Sequence, residues 1–237
     1  MSLPLFLVPS LPEGDDFVLD GPEGHHAAVV QRLRAGEELL LGDGRGGTAR
    51  AVVVSVDRSA LRLHIVKRAS EPAPSPRLVV AQGIAKGERG ELAVQAMTEV
   101  GVDEILPWAA ARSVAVWRGD RGLKARQKWV ATAREAAKQA RRAWVPVIGG
   151  DPDVATRDLR PTFVLHEEAS ERLSTVDLPD AGEIVLVVGP EGGIDDRELK
   201  QFLEAGATAD RLGDNVLRTS TAGVAALSVL ATRLGRW

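Results

Sequence analysis

The segment best suited to hold a ligand is the glycine-rich stretch GPEGG at residues 189–193, which follows the buried-looking apolar run at residues 184–188. Ligands of parallel α/β proteins bind at the carboxyl ends of strands, and glycines let the backbone approach a ligand closely. The stretch lacks the Lys-Ser or Lys-Thr of a P-loop and the spacing of a dinucleotide fingerprint. It therefore predicts a ligand held mainly by backbone groups. The alternative is a tight strand-to-helix turn that needs a positive φ.

A second candidate for chemistry is the stretch LRTSTA at residues 217–222. Thr219 or Ser220 can cap the helix expected to follow. Arg218 would then lie at the positive end of that helix, where a cation is disfavoured. An arginine placed against the helix dipole indicates an anionic ligand, so we predict that Arg218 is functional.

Basic residues are concentrated in one part of the chain. Residues 112–142 contain ten Lys or Arg and two acids, a balance of +8, whereas residues 151–214 contain sixteen acids and six bases, a balance of −10. A basic segment in a chain of net charge −3 can form a phosphate-binding face, although charge alone favours a solvated helix. Arg141 and Arg142 can also simply interact with the C-terminal end of the preceding helix.

The composition excludes several other kinds of site. The 237 residues contain no Cys, so disulfides, zinc thiolate sites and a cysteine nucleophile are ruled out. The four His lack metal-ligand spacing, so we expect no metal, and no G-x-S-x-G nucleophile motif occurs. No apolar run is long enough to cross a bilayer and the first residues do not form a signal peptide. We therefore expect a cytoplasmic protein that does not associate with a membrane.

The elements that would position these residues fall into two parts. Residues 70–76 contain three prolines, which neither a helix interior nor a central strand accommodates. We therefore predict a linker at residues 71–76 between domains at residues 1–70 and 77–237. The first part contains short β-branched or aliphatic runs separated by Gly- and Asp-rich turns, with one helix at residues 25–34. This pattern predicts a small β-barrel.

The second part alternates strand-like and helix-like segments, which predicts an α/β fold with a parallel sheet and helices on both faces. Helices are expected at residues 88–100 and 123–142. Four-residue spacing of apolar residues places Leu92 on the inner face of the first helix and Ala140 on the inner face of the second.

The ordered set of motifs, taken together, resembles the ribosomal RNA small subunit methyltransferase E family. The resemblance covers nearly the whole chain and includes a departure at Ser220, where we expect an acid in the family's LRTETA segment. The residues that carry it are Lys86-Gly87-Glu88-Arg89, Thr98-Glu99-Val100-Gly101-Val102, Arg112-Ser113, Glu135-Ala136-Ala137-Lys138-Gln139 with Arg141-Arg142, Val145-Pro146, GPEGG, LRTSTA, and the N-terminal His26, Leu33-Arg34, Gly36 and Asp43-Gly44.

This resemblance implies an S-adenosyl-L-methionine (AdoMet)-dependent methyltransferase of the SPOUT superfamily. It would methylate N3 of uridine 1498 (U1498) in 16S ribosomal RNA of the small subunit. It would combine an RNA-binding, PUA-like N-terminal β-barrel with a C-terminal α/β-knot, a trefoil-knotted parallel sheet, and would act as a homodimer. Two alternatives remain: a SPOUT enzyme that methylates the ribose 2′-O, and a non-catalytic RNA-binding or ribosome-assembly factor.

The resemblance also implies roles for individual residues. Arg218 would be catalytic, either favouring the uracil anion or positioning the target nucleotide, and Glu191 is in the right loop for a general base but can equally answer a helix dipole. The expected RNA-binding residues are Arg34, Lys86, Arg89, Arg112, Arg141 and Arg142. The expected AdoMet-binding residues are Leu165, His166, Gly189, Pro190, Glu191, Gly192, Gly193, Leu212, Gly213, Leu217, Thr219 and Ala222.

Overall fold

The computed structural model describes residues 3–149 and 161–237. The chain divides into two compact units, one of Met1–Ala73 with Ala137–Val145 and one of Pro74–Ala136 with Pro146–Trp237. The first boundary lies among the prolines of the expected linker. A single linear boundary does not describe the division, because Ala137–Val145 packs with the first unit.

The first unit is built on one mixed five-stranded sheet of order β1-β3-β4-β5-β2. Strands β1 and β3 are parallel and the other pairs are antiparallel. Alternate residues of β4 and β5, such as Val53 and Leu63, are buried in its core, as expected for strands with one face on a core. The predicted strands are confirmed as β1 (Leu5–Leu7), β2 (Asp16–Leu19), β3 (Glu38–Gly42), β4 (Gly47–Asp57) and β5 (Ala60–Ser70).

The helical segment of the first unit differs from the prediction for residues 25–34. A short helix, α1, spans Gly21–His25 and continues into a π-helical turn at His26–Val30. Proline in the first turn marks the start, and the sequence analysis overlooked that signal. The side chain of Val30 is exposed, and Ala27 is the residue of this turn that is buried in the core.

The second unit contains a seven-stranded sheet of order β10-β12-β9-β11-β6-β7-β8, in which every pair is parallel. The predicted parallel sheet is therefore confirmed. Its strands are β6 (Arg77–Gly83), β7 (Glu104–Trp108), β8 (Val147–Ile148), β9 (Thr162–Leu165), β10 (Glu171–Arg172), β11 (Glu183–Val188) and β12 (Thr208–Arg211). Its helices are α2 (Arg89–Glu99), α3 (Gly119–Gln139), α4 (Asp196–Glu204) and α5 (Thr219–Arg233).

Helices cover both faces of this sheet, as predicted. Leu78 and Val80 of β6 belong to a core that also contains residues of α2, α3 and α5. Val79 and Ala81, which point the opposite way along the same strand, belong to a second core with Phe202 of α4. No helix in the described ranges is both long and apolar enough to cross a membrane.

Two details of the predicted helix faces are wrong. Leu92 is 53% exposed, and α2 buries Ala93, Val94 and Met97 instead. Successive residues of a helix are about 100° apart around its axis. A predicted apolar stripe that is displaced by one residue therefore faces solvent. Ala140 is exposed because α3 ends before it, at Gln139.

Candidate functional site

A cleft of about 880 Å³ lies at the carboxyl ends of β9 and β11, beside the start of α5. This volume falls within the range of small-molecule sites. Leu212 and Gly213 do not line it; they border an adjoining recess of about 70 Å³ that shares six lining residues with the cleft. Among the residues predicted to bind the cofactor or to act in catalysis, those that line the cleft are Leu165, His166, Gly189, Pro190, Glu191, Gly192, Gly193, Leu217, Arg218, Thr219 and Ala222.

The glycines of the 189–193 loop permit close packing as well as a turn. Gly193 has φ +75°, which fits the alternative of a simple strand-to-helix turn. Gly192 has a different reason to be glycine, because a Cβ there would lie 2.9 Å from the carbonyl oxygen of Arg112. A Cβ at Gly189 would lie 2.9 Å from the side chain of Ile194. The loop therefore packs more tightly than a turn alone requires.

A further glycine that sequence reasoning missed supports this loop from the neighbouring strand. Gly83 ends β6, which pairs with β11. A Cβ on Gly83 would lie 2.5 Å from the nitrogen of Pro190 and 2.8 Å from the carbonyl carbon of Gly189. A glycine at the end of an apolar strand was the available signal, since such glycines mark close backbone approach.

A buried hydrogen-bond chain joins three elements behind the cleft. Gln82 of β6 is completely buried, and its Nε2 donates to Oγ1 of Thr219 at 2.9 Å. The Thr219 hydroxyl in turn donates to the carbonyl oxygen of Gly189 at 2.7 Å. The start of α5 is thereby fixed to the start of the glycine-rich loop.

This geometry corrects the capping prediction for the last helix. Arg218 is the N-cap residue, and no side-chain hydrogen bond caps α5. Thr219 is the first helical residue, and its hydroxyl serves the chain from Gln82 to Gly189 instead of the helix end.

We predict that Thr219→Val weakens AdoMet binding about tenfold, because it removes the hydroxyl that links the Gln82 amide to the Gly189 carbonyl, and a buried polar group that loses its partner costs about 1–3 kcal/mol. Isothermal titration calorimetry well below the melting temperature measures this. Thr219→Ser keeps the hydroxyl and should bind nearly as the parent does. If the Val and Ser variants bound AdoMet with equal affinity, the hydrogen bonds from Gln82 through Thr219 to Gly189 would not shape the cleft.

Arg218 has the location that the sequence analysis predicted, at the N-terminus of a helix and within the cleft. Its side chain makes no hydrogen bond or ion pair with any residue in the described ranges, and the residue is exposed. A guanidinium on the unfavourable end of a helix dipole, without a protein partner there, is available to an anionic ligand.

Glu191 is held by its neighbours. Its carboxylate accepts from the backbone N–H of Lys86 at 3.0 Å and lies 3.4 Å from a guanidinium nitrogen of Arg89. Burial alone would raise the pKa of Glu191, but the backbone donors and Arg89 outweigh it and hold the pKa below its ordinary value. A tethered carboxylate of lowered pKa is a weak general base. Glu191 instead ties the glycine-rich loop to the loop before α2.

The predicted RNA-binding residues are distributed over both units. Arg89 and Arg112 line the cleft together with Arg218, and Lys86 borders a neighbouring groove that it shares with Arg89. The remaining three, Arg34, Arg141 and Arg142, belong to the first unit.

Arg112 is held in place by the start of α4. Its Nε lies 3.8 Å from Oδ2 of Asp195, and the N–H of the preceding Ala111 donates to Glu198 at 2.7 Å. Glu198 also completes a capping box with Asp195. The cleft thus has one arginine positioned by the start of α4 and another at the start of α5. In the described ranges, no group of three or more His, Asp or Glu residues is placed to hold a metal ion.

Asp210 of β12 is a buried acid next to the cleft wall, paired in register with Leu165. Its Oδ2 accepts from the Thr208 hydroxyl at 2.6 Å, whereas Oδ1 has no hydrogen-bond partner in the part of the chain that the structure describes. Burial raises the pKa of Asp210, Thr208 opposes the rise, and Glu171 adds to it.

We predict that Asp210→Asn makes stability less dependent on pH. A carboxyl whose pKa is raised by folding binds its proton more tightly in the folded state, so the stability of the parent falls as pH rises through the raised pKa. The variant carries no such charge. In urea unfolding between pH ~4.5 and 8, the free energy of unfolding of the variant should increase relative to that of the parent as pH rises. A difference between the two proteins that stays constant with pH would contradict this prediction.

Comparison with known proteins agrees with this architecture. Residues 71–231 match the model of an RNA methyltransferase domain, and residues 19–66 match that of an RNA methyltransferase PUA domain. The chain is 46% identical to the ribosomal RNA small subunit methyltransferase E of Mycobacterium bovis, over 98% of this chain and 93% of that protein. The Bacillus subtilis protein of the same name is 29% identical, over 92% and 91% of the two chains.

A solved structure is similar throughout. The ribosomal RNA small subunit methyltransferase E of Neisseria gonorrhoeae, bound to S-adenosyl methionine, superimposes with a TM-score of 0.86 at 28% identity, covering 98% of each chain. The predicted resemblance, the α/β class and the PUA-like first part are therefore confirmed.

Proposed function

The chain belongs to the ribosomal RNA small subunit methyltransferase E family, and on that basis we propose that it transfers a methyl group from AdoMet to N3 of uridine 1498 in 16S ribosomal RNA. An AdoMet-dependent ribosomal RNA methyltransferase is what this family membership identifies. The base, the atom and the nucleotide are the proposal. The observation that supports it best is Arg218, whose side chain has no partner among the described residues and which lines a glycine-bounded cleft.

The residues of the cleft fit AdoMet. Its floor is a loop whose glycines leave no room for a Cβ at positions 189 and 192, so backbone groups border the open space. Leu165 and Leu217 provide apolar walls. We assign cofactor binding to these residues and to the loop at 189–193. When bound, AdoMet supplies an electrophilic methyl group whose leaving thioether is neutral.

In the reaction, the protein positions the uridine and stabilises the uracil anion. Uracil N3 carries a proton at neutral pH; loss of this proton to solvent water before methyl transfer leaves negative charge shared between O2 and O4. The guanidinium of Arg218 can donate a hydrogen bond to one of these oxygens, which stabilises the charge as it develops. Arg89 and Arg112, at the same cleft, would hold RNA phosphates and fix the orientation of the base.

The quaternary and topological expectations are also part of the proposal. We propose that the chain acts as a homodimer in the cytoplasm and that its first unit binds RNA. We also propose that the path through β11, β12 and α5 is knotted. The AdoMet-bound relative from Neisseria gonorrhoeae, alike over 98% of both chains, supports a shared architecture.

The test is tritiated methyl transfer to small ribosomal subunits that lack the modification, followed by nucleoside analysis. The expected product is 3-methyluridine at position 1498. A 2′-O-methylated nucleoside would replace this proposal with a ribose methyltransferase. Absence of transfer, with AdoMet and RNA both bound, would favour a non-catalytic assembly factor.

A further inference from the structure

The first unit contains a cavity that the methyl-transfer site does not explain. It has a volume of about 290 Å³ and lies between the π-helical turn and the end of α3. Polar groups that line it come from His26, Gln31, Lys138, Gln139 and Arg141. This combination of a concave surface with convergent donors is typical of a binding site.

Two arginines beside this cavity have a backbone conformation that normally requires glycine. Arg32 has φ 56° and Arg141 has φ 55°. Arg58 is the third non-glycine residue with positive φ in the described ranges, and glycine occupies every other such position there. Positive φ is uncommon for residues with a Cβ, and backbone strain of this kind is concentrated at functional sites.

The conformation arises because each arginine ends a helical segment. The N–H of Arg141 donates to Lys138 and the N–H of Arg142 donates to Ala137, which is the Schellman pattern at the end of α3. Around Arg32, the N–H of Gln31 donates to His26 and that of Leu33 donates to Ala27. Both positions are those at which helices prefer glycine.

Favourable interaction with the helix dipole does not account for Arg141. A basic residue in the last turn is sufficient for that effect, and α3 already has Lys138 there. Lys138 is itself occupied, since its side chain is 5% exposed and its Nζ lies 3.0 Å from Glu23 Oε2. Arg32 and Arg141 are exposed and make no side-chain hydrogen bond or ion pair within the described ranges.

The two segments meet at one cavity. Arg141 lines it directly, and Arg32 lies between Gln31 and Leu33, which both line it. The inner cation, Lys138, is neutralised by Glu23, so the uncompensated positive charge is at the edge. We propose that Arg32 and Arg141 hold successive phosphates of the substrate RNA and that the cavity receives a nucleotide between them. This inference rests on the RNA-modifying function proposed above.

Glycine substitution separates binding from folding. Arg32→Gly and Arg141→Gly remove the guanidinium and also relieve the backbone, so each variant should melt at the same temperature as the parent or up to about 4 °C higher. At ~0.15 M salt, affinity for a 16S ribosomal RNA transcript should fall about three- to tenfold for each variant. The slope of log affinity against log salt should lessen by about 0.7 per lost phosphate contact.

Arg58→Gly is the matched control. Arg58 has φ 47° in the turn between β4 and β5 and does not line the cavity, so its variant should lose less than about twofold in RNA affinity. AdoMet affinity should be unchanged in all three variants. If the parent does not bind the transcript, or if Arg58→Gly loses as much affinity as the other two, the inference is overturned. A parent that binds RNA without methylating it would instead contradict only the proposed activity.

Discussion

Arg218→Ala should abolish most methyl transfer while leaving AdoMet affinity within about threefold of the parent's. Arg218 lies at the start of α5, lines the cleft and has no side-chain partner in residues 3–149 and 161–237, so its removal should not disturb the fold. Loss of one preorganised donor to a developing oxyanion lowers kcat by about 10²–10³-fold. Single-turnover methyl transfer to saturating small subunits, with calorimetric titration of AdoMet, measures both quantities.

Arg218→Lys distinguishes charge from geometry. Lysine keeps the positive charge but loses the planar fork that can donate to two oxygens at once. We expect partial activity, between those of the parent and the alanine variant. Full turnover by Arg218→Ala would remove Arg218 from the mechanism, and a large loss of AdoMet affinity would make it a cofactor ligand instead.

Gly83→Ala should weaken AdoMet binding by about ten- to a hundredfold. The new methyl group would lie within 3 Å of the backbone of Gly189 and Pro190, and backbone atoms cannot move aside as a flexible side chain can. Overpacking a rigid site costs about 1–3 kcal/mol, and about 1.4 kcal/mol corresponds to a tenfold change in affinity. The loop is expected to shift away from β6, which should also lower the melting temperature.

The matched control is Gly14→Ala in the first unit, where a Cβ would meet no atom within 4 Å. Because the added methyl group has room there, the AdoMet affinity of this variant should equal that of the parent. This result would show that replacing a glycine with alanine does not in itself cause the loss. Unchanged affinity in Gly83→Ala, measured by calorimetry, would mean that the packing of the loop on β6 is irrelevant to the cofactor.

The sequence was sufficient to predict the cleft because its two motifs follow simple rules. A glycine-rich stretch after a buried strand and an arginine at a helix start are both local patterns. Each pattern by itself predicted a functional site, and the family resemblance implied that residues 189–193 and Arg218 belong to the same site. The structure places both at one cleft.

The supporting residues could not be predicted in the same way. Gln82 is opposite Val188 only through the register of β6 on β11, and that register is set by the whole sheet. Thr219 resembles a helix cap in the sequence, yet its hydroxyl finds the Gly189 carbonyl. Gly83 is next to the loop for the same tertiary reason.

The backbone conformation at several positions could not be predicted from the sequence either. Arginine gives no local sign of a positive φ, so Arg32 and Arg141 could not be identified as strained. The π-helical turn at His26–Val30 is equally invisible to a search for a helical period. Leu92 shows a related problem, because a choice between adjacent stripes on α2 depends on what packs against the helix.

The central claim is that the cleft between the 189–193 loop and residues 217–219 is the AdoMet site. A crystal structure of the protein grown with AdoMet tests this most directly. We expect the cofactor in that cleft, in contact with backbone groups of the glycine-rich loop and with Leu217. Cofactor bound at any other position, with this cleft empty, would contradict it.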